Sequence, residues 1–365
     1  MIIGIGGAGG KIAAGMSKES TVINVSEVEM QKLGLAKNML AYTNNEKGQL
    51  MGSKKNPSIG KTAFNSVRGQ LLEDIKGNIV VTSSGGGTGN GITSQVLSYI
   101  SAMEKVSEVN RTQFMVILPY AKREASEYVN NTIEFLQGPL LKGVDSTNTG
   151  NIFLFSNKFK YEARMAEKAF NELISDSFNK FNAIPEKGDD HELLEGHIDR
   201  EDFESYKSKA FFNYFTDFEY SPERYFSEQL EEDYNELMLR PDVPIEALFL
   251  LEVPDDYDHT VFYNILDHFE AQKVTPIYSV IRNSDLEKPL ITVSLLYSRK
   301  PAELVDDYNR VAEETTREKI KKSIDQNVNI EKVAVNIPEK AERVAQEEGT
   351  NQSEVMTILK RLGKI

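Results

Sequence analysis

The chain has 365 residues, 40% of them hydrophobic, and a net charge of −14 at pH 7. That is enough to bury a large core, and it argues against a surface coated for unspecific nucleic-acid binding. There is no cysteine and only four histidines, His191, His197, His259 and His268. Disulfide frameworks, thiol catalysis and cysteine-ligated metals are therefore excluded, and no histidine pair has the i, i+4 spacing of a zinc helix.

No signal peptide and no apolar run of about 18 residues occur, so the expectation is a cytoplasmic protein with no membrane segment. Residues 1–5 read as a short apolar strand. The glycines that follow, Gly6, Gly7, Gly9 and Gly10 with Ala8 between them, lead into a helix from Lys11. Gly4, Gly6 and Gly9 match the dinucleotide fingerprint G-x-G-x-x-G, a weak signal by itself. Thr21–Val25 reads as a second strand, carrying Asn24 near its end. A dinucleotide reading would set Glu27, about 20 residues after the glycines, on a ribose hydroxyl. Residues 42–62 are polar and rich in turn formers. Gly60-Lys61-Thr62 fails as a phosphate loop, because the required first glycine falls at Lys55 and no strand precedes it. A loop over a nucleotide fits better, with a helix over 62–76.

Asn78–Thr82 reads as a buried strand and 92–103 as a helix, with apolar residues at 92, 96, 97, 100 and 103. Between them runs Ser83-Ser84-Gly85-Gly86-Gly87-Thr88-Gly89-Asn90-Gly91, with five glycines in seven residues. A strand, a glycine turn and a helix N-terminus make an anion site, with converging backbone N–H groups and a favourable helix dipole. A plain strand-to-helix turn needs only one or two glycines. Further strands are expected at 113–118, stopped by Pro119, and at 151–155, ending near Asn157. Helices are expected over 122–136 and 161–181. Alternating strands and helices predict an α/β fold with a mostly parallel sheet and ligands at the strands' carboxyl ends. Residues 183–198 are acidic and turn-like, a helix begins near 197–203, and 210–240 reads as helical. Strands at 245–253, 274–282 and 290–298 with a helix over 258–272 form a second α/β unit, followed by an amphipathic helix over 301–324. The expected divisions are 1–160, 161–182, 183–240, 241–300, 301–327 and a tail at 328–365.

The glycine run resembles the G-G-G-T-G-[ST]-G signature of the tubulin/FtsZ superfamily, here Gly85–Gly91 with Asn90 at the sixth place. The resemblance extends to Asn24 ending the second strand, to Asn56-Pro57-Ser58-Ile59-Gly60 in a loop over the nucleotide, and to Asn157. It also covers a long central helix and a second α/β domain. His197-Ile198-Asp199-Arg200-Glu201-Asp202-Phe203 resembles the acidic loop N-x-D-x-x-D, and is most similar to that of the TubZ-like branch of plasmids and phages. The chain departs from FtsZ at Lys11 and His197, at the loop after Pro119 where the acid is displaced by one to Glu124, and at 183–195, which reads as an insertion.

The resemblance implies a GTPase that polymerises head to tail, with GTP/GDP and Mg²⁺ as cofactors and plasmid or phage DNA as cargo to be segregated or positioned. Residues 85–91 would bind the β- and γ-phosphates, residues 6–10 the α- and β-phosphates, and Asn24, Asn157 and Asn171 the sugar and guanine. Asp199 and Asp202 would complete the neighbouring subunit's site and orient the attacking water. Their spacing also suits capping of the helix that follows, and Asn171 also reads as an exposed helical asparagine. No protein-ligated metal is expected. The tail reads as strand, helix, helix, with Lys332, Ala334 and Asn336 on one strand face. It would bind DNA or a DNA-binding adaptor, or pack within the filament, and its six basic and seven acidic side chains over 325–365 weaken the DNA case. Two other readings are an NAD(P)-dependent oxidoreductase and a nucleotide-binding scaffold that does not hydrolyse.

Overall fold

The computed structural model describes residues 1–35, 37–43, 50–239, 243–297 and 301–327. The tail expected at 328–365 lies outside the described residues. Met1–Thr315 forms one compact unit and Thr316–Ile365 a second, so the divisions expected at 160, 182, 240 and 300 all fall inside the first.

The strands are β1 (Ile2–Ile5), β2 (Thr21–Asn24), β3 (Lys37–Leu40), β4 (Ile79–Ser83), β5 (Thr112–Leu118), β6 (Thr149–Ser156), β7 (Glu192–Gly196), β8 (Phe212–Glu219), β9 (Glu246–Val253), β10 (Ile277–Arg282) and β11 (Leu290–Tyr297). The α-helices are α1 (Gly6–Met16), α2 (Glu27–Gln31), α3 (Pro57–Asp74), α4 (Gly87–Ser101), α5 (Ser126–Phe135), α6 (Leu141–Asp145), α7 (Lys158–Glu162), α8 (Glu167–Asn182), α9 (Ile184–Asp190), α10 (Arg200–Lys207), α11 (Phe226–Glu232), α12 (Tyr263–Ala271) and α13 (Pro301–Asn327). The strands form one sheet in the order β3-β2-β1-β4-β5-β6-β8-β11-β9-β10-β7.

From β3 to β8 every pairing is parallel, whereas β11 runs antiparallel to both β8 and β9. The central strands β1, β4 and β5 are largely apolar because helices cover both faces. Along β5 the side chains alternate between two cores. Met115 and Ile117 face Ile12, Met16, Phe170 and Phe178 of α1 and α8, whereas Phe114, Val116 and Leu118 share a core with Phe64, Val67, Val96 and Leu97 of α3 and α4. The sheet order reverses direction between β1 and β4. In an open parallel sheet that switch opens a crevice outside the carboxyl ends of the two strands.

Four sequence expectations are corrected. Residues 212–219 form a strand rather than a helix. Their Phe, Tyr and Thr suit a sheet buried on both faces, and the acids that suggested a surface helix are paired, Asp217 with Lys180 at 2.9 Å and Glu219 with Lys288 at 2.7 Å. The central helix does not run unbroken over 161–181: α7 and α8 are separated near Arg164, which has a left-handed backbone (φ 51°). Its apolar period simply carried across that break. Residues 183–195 are not a turn but helix α9 and edge strand β7, which pairs antiparallel with β10. The helix expected from residue 92 begins at Gly87, inside the glycine run.

Helix α13 packs Tyr308, Val311 and Ala312 against Ala121, Val129 and Ile133. The Tyr308 hydroxyl donates to the Pro119 carbonyl at 2.8 Å, and burial holds its phenol far above the usual range. No described helix is long and apolar enough to cross a membrane.

Candidate functional site

The crevice is built by two helix N-termini. Helix α1 follows β1 and α4 follows β4, and neither has a side-chain cap or an acidic residue in its first turn. Elsewhere Ser26, Asn56 and Asp199 cap α2, α3 and α10. The first-turn N–H groups of α1 and α4 thus have no side-chain acceptor, and the helix dipoles add partial positive charge. Glycine lets the two ends meet: Gly6 has φ +78°, and a Cβ there would lie 2.8 Å from the Gly89 nitrogen. Between the ends opens a cleft of about 570 Å³. Its wall carries three carboxylates, Glu29, Glu124 and Glu167, and three ammonium groups, Lys54, Lys55 and Lys160. Lys11 pairs with Glu167 at 2.7 Å, and the two helix N-termini add backbone N–H groups and dipoles of the kind that suit an anion.

Of the residues expected at this site, Gly7, Ala8, Asn24, Gly85, Gly86, Gly87, Thr88, Gly89, Pro119, Glu124, Asn157 and Asn171 line the cleft. Asn24 donates to Glu29 at 2.8 Å and accepts from the Val25 N–H at 2.8 Å. Asn157 donates to Glu124 Oε1 at 2.6 Å, and the same oxygen accepts from the Tyr120 N–H at 3.1 Å. This explains the displaced acid: Glu124 closes its own turn and holds Asn157.

Gly6, Gly9, Gly10, Gly60, Asn90 and Gly91 do not line the cleft. A Cβ on Gly9 would lie 2.2 Å from the Val81 carbonyl oxygen, so this glycine lets α1 cross β4. Gly10 packs on Val22. A Cβ on Gly60 would lie 2.6 Å from the Gly87 carbonyl, and one on Gly91 2.2 Å from the Pro57 carbonyl, so both serve the close crossing of α3 and α4. Asn90 is buried, and its amide donates to the carbonyls of Ser84 and Asn131 from beneath the loop. Glu27, the ribose acid of the dinucleotide reading, lines a separate cavity with Met30, Gln31 and Gln70.

The loop expected over a nucleotide within 42–62 brings Ser53, Lys54 and Lys55 to the cleft wall, and the sequence reading missed Glu29, Tyr128, Lys160, Tyr161, Glu167 and Phe170 there. Lys11 bonds Glu167 at 2.7 Å and holds its carboxyl below the ordinary range. Burial pushes the Tyr161 phenol up, and the Lys160 ammonium sits 4.6 Å from its ring centroid.

Asp199 and Asp202 lie elsewhere. Asp199 caps α10 by accepting the Asp202 N–H at 2.8 Å, and the Asp202 side chain is exposed. Four residues of this segment, Arg200, Phe203, Glu204 and Lys207, line a cavity with Met1, Asn78 and Gln113, at the amino ends of β1, β4 and β5. Helix α8 connects the two poles. Its start, at Glu167, Phe170 and Asn171, is in the cleft, and Asn182 at its other end accepts a hydrogen bond from Lys207. Its 16 residues span roughly 24 Å at 1.5 Å per residue.

No family model matches the chain, and no curated protein does. Solved structures do. A GTPγS-form protofilament of TubZ from Bacillus thuringiensis serovar israelensis is 14% identical at a TM-score of 0.68, with 88% of this chain and 93% of that one covered. TubZ of Clostridium botulinum phage c-st is 18% identical at 0.62, covering 87% and 98%. An FtsZ dimer from M. jannaschii is 16% identical at 0.60, covering 82% and 88%. The chain has the tubulin/FtsZ fold.

Proposed function

We propose that this protein is a GTPase that assembles head to tail into filaments, each GTP being hydrolysed at the joint between two subunits. The observation that carries this reading is the separation of the two halves of the chemistry. The phosphate cleft opens at the carboxyl ends of the parallel strands, and Asp199 and Asp202 belong to their amino ends, roughly one α8 length away. A subunit cannot bring its own acids to its own γ-phosphate. A copy displaced along that axis can, and such a contact repeats without closing, which makes a filament. TubZ, whose fold this chain shares, has been solved as a GTPγS-form protofilament.

Phosphoryl transfer to water needs positioning more than covalent chemistry. The backbone N–H groups of Gly85–Gly89 would hold the β- and γ-phosphates, and those of Gly7 and Ala8 the α- and β-phosphates. The amides of Asn24, Asn157 and Asn171 can donate and accept, as the guanine edge requires. The neighbour's Asp202 would orient the attacking water, with Asp199 fixing the turn that carries it. Mg²⁺, which neutralises phosphate charge, would be held by phosphate oxygens and water. Segregating or positioning plasmid or phage DNA, through the tail or an adaptor, is the role we infer for such filaments. Light scattering and phosphate release are the test. GTP should raise scattering above a threshold protein concentration, with phosphate release appearing only above it. Assembly without phosphate would leave a scaffold, and neither signal would reject the reading.

A further inference from the structure

Helix α5 carries a residue that the reading above does not use. The Asn131 side-chain amide donates to the Gly85 carbonyl at 2.8 Å and to the Lys55 carbonyl at 2.9 Å. Both acceptors are carbonyl oxygens, so the nitrogen must face them. One side chain thus ties the phosphate loop to the turn that overhangs the cleft. That turn is strained: Lys54 (φ 48°) and Lys55 (φ 61°) are consecutive left-handed residues with side chains. Such backbone is unfavourable for residues with a Cβ and persists only where its surroundings fix it. A second contact from α5 does so, because the Lys55 ammonium lies 4.7 Å from the Tyr128 ring centroid. Both lysines line the cleft beside Gly85–Gly87, and a Cβ on Gly87 would lie 2.4 Å from the Ser53 hydroxyl.

We propose that Asn131 is a positioning residue for the terminal phosphate: by holding the Lys54–Lys55 turn against Gly85, it fixes two ammonium groups where a γ-phosphate adds charge. The proposal rests on the nucleotide reading of the cleft. Without the amide, the turn relaxes to ordinary backbone and the lysine charges leave the γ-position, while contacts to the α-phosphate, sugar and base persist. Asn131 would therefore set the preference for triphosphate over diphosphate.

The test is binding of GTPγS and of GDP, measured by calorimetry below the assembly threshold, for wild type, Asn131→Ala and Asn131→Asp. Asp keeps the size but turns a donor into a repelled acceptor. The expected result is a loss of GTPγS affinity of about tenfold in Asn131→Ala and more in Asn131→Asp, with GDP affinity changed less than threefold. Tyr128→Leu, which removes the aromatic seat of Lys55 from the cleft wall, should move the ratio in the same direction. Equal weakening of both nucleotides would make Asn131 merely structural and overturn the proposal, as would no change in either. Should wild type bind neither nucleotide, the underlying reading falls and the inference with it.

Discussion

Replacing Asp202 with alanine should leave GTP binding and filament assembly intact and lower GTP turnover by a hundredfold or more. Asp202 is the better target of the two acids. Its side chain is exposed, whereas Asp199 accepts the Asp202 N–H and caps α10. Truncating an N-cap aspartate costs about 1 kcal/mol of stability, so Asp199→Ala would mix a folding effect with a catalytic one. The predicted size follows from the part assigned to Asp202. Correct placement of a nucleophile contributes several kcal/mol to a transfer reaction, and each 1.4 kcal/mol is tenfold in rate. Filaments that form normally but accumulate GTP rather than GDP are the expected product. Normal phosphate release from them would remove Asp202 from the reaction.

Two alanines only five residues apart in the glycine run should fail for opposite reasons. A methyl on Gly86 meets only the end of the Ser83 side chain, at 3.2 Å, and Gly86 has an ordinary backbone (φ −75°). Gly86→Ala should therefore fold with near-normal stability and lose nucleotide affinity by about a hundredfold, because the methyl stands in the cleft. A methyl on Gly91 would lie 2.2 Å from the Pro57 carbonyl and 2.8 Å from the Gly60 Cα. Gly91→Ala should therefore force α3 and α4 apart and cost about 3 kcal/mol, as overpacking of a tight contact does. Denaturant titration separates the two variants from nucleotide titration. A Gly86→Ala protein that is destabilised yet binds GTP normally would reverse the assignment.

That contrast also shows what could be read in the sequence. The run Gly85–Gly91 reads as a phosphate loop, but only its first five residues, Gly85–Gly89, face the cleft. Closely spaced glycines are equally what a close helix crossing requires, and spacing alone does not separate the two demands. The first glycine loop behaves the same way: Gly7 and Ala8 line the cleft while Gly9 and Gly10 pack on β4 and β2. Most of the parallel sheet was legible because strands such as β1, β4 and β5 are apolar runs between turn signals, whereas the edge strand β3, Lys37–Leu40, is half polar and went unread. Strand β8 was not, since its acids suggested a surface helix and its pairing partner β11 lies more than 70 residues away. The loop over a nucleotide expected within 42–62 does bring Lys54 and Lys55 to the cleft, but their individual part was not legible: a polar loop gives no periodicity, and their left-handed backbone is held by α5 through Asn131.

If one catalytic site is divided between two subunits, two variants broken in different halves should complement each other. Asp202→Ala has an intact cleft and no acid to lend; Gly86→Ala has the acid and a blocked cleft. Each alone should release almost no phosphate. Mixed one to one, about a quarter of randomly formed joints pair a working cleft with a working acid, so turnover should return to a substantial fraction of wild type. A mixture that sediments as shared filaments yet stays as inactive as its parts would mean that the site is not shared between subunits.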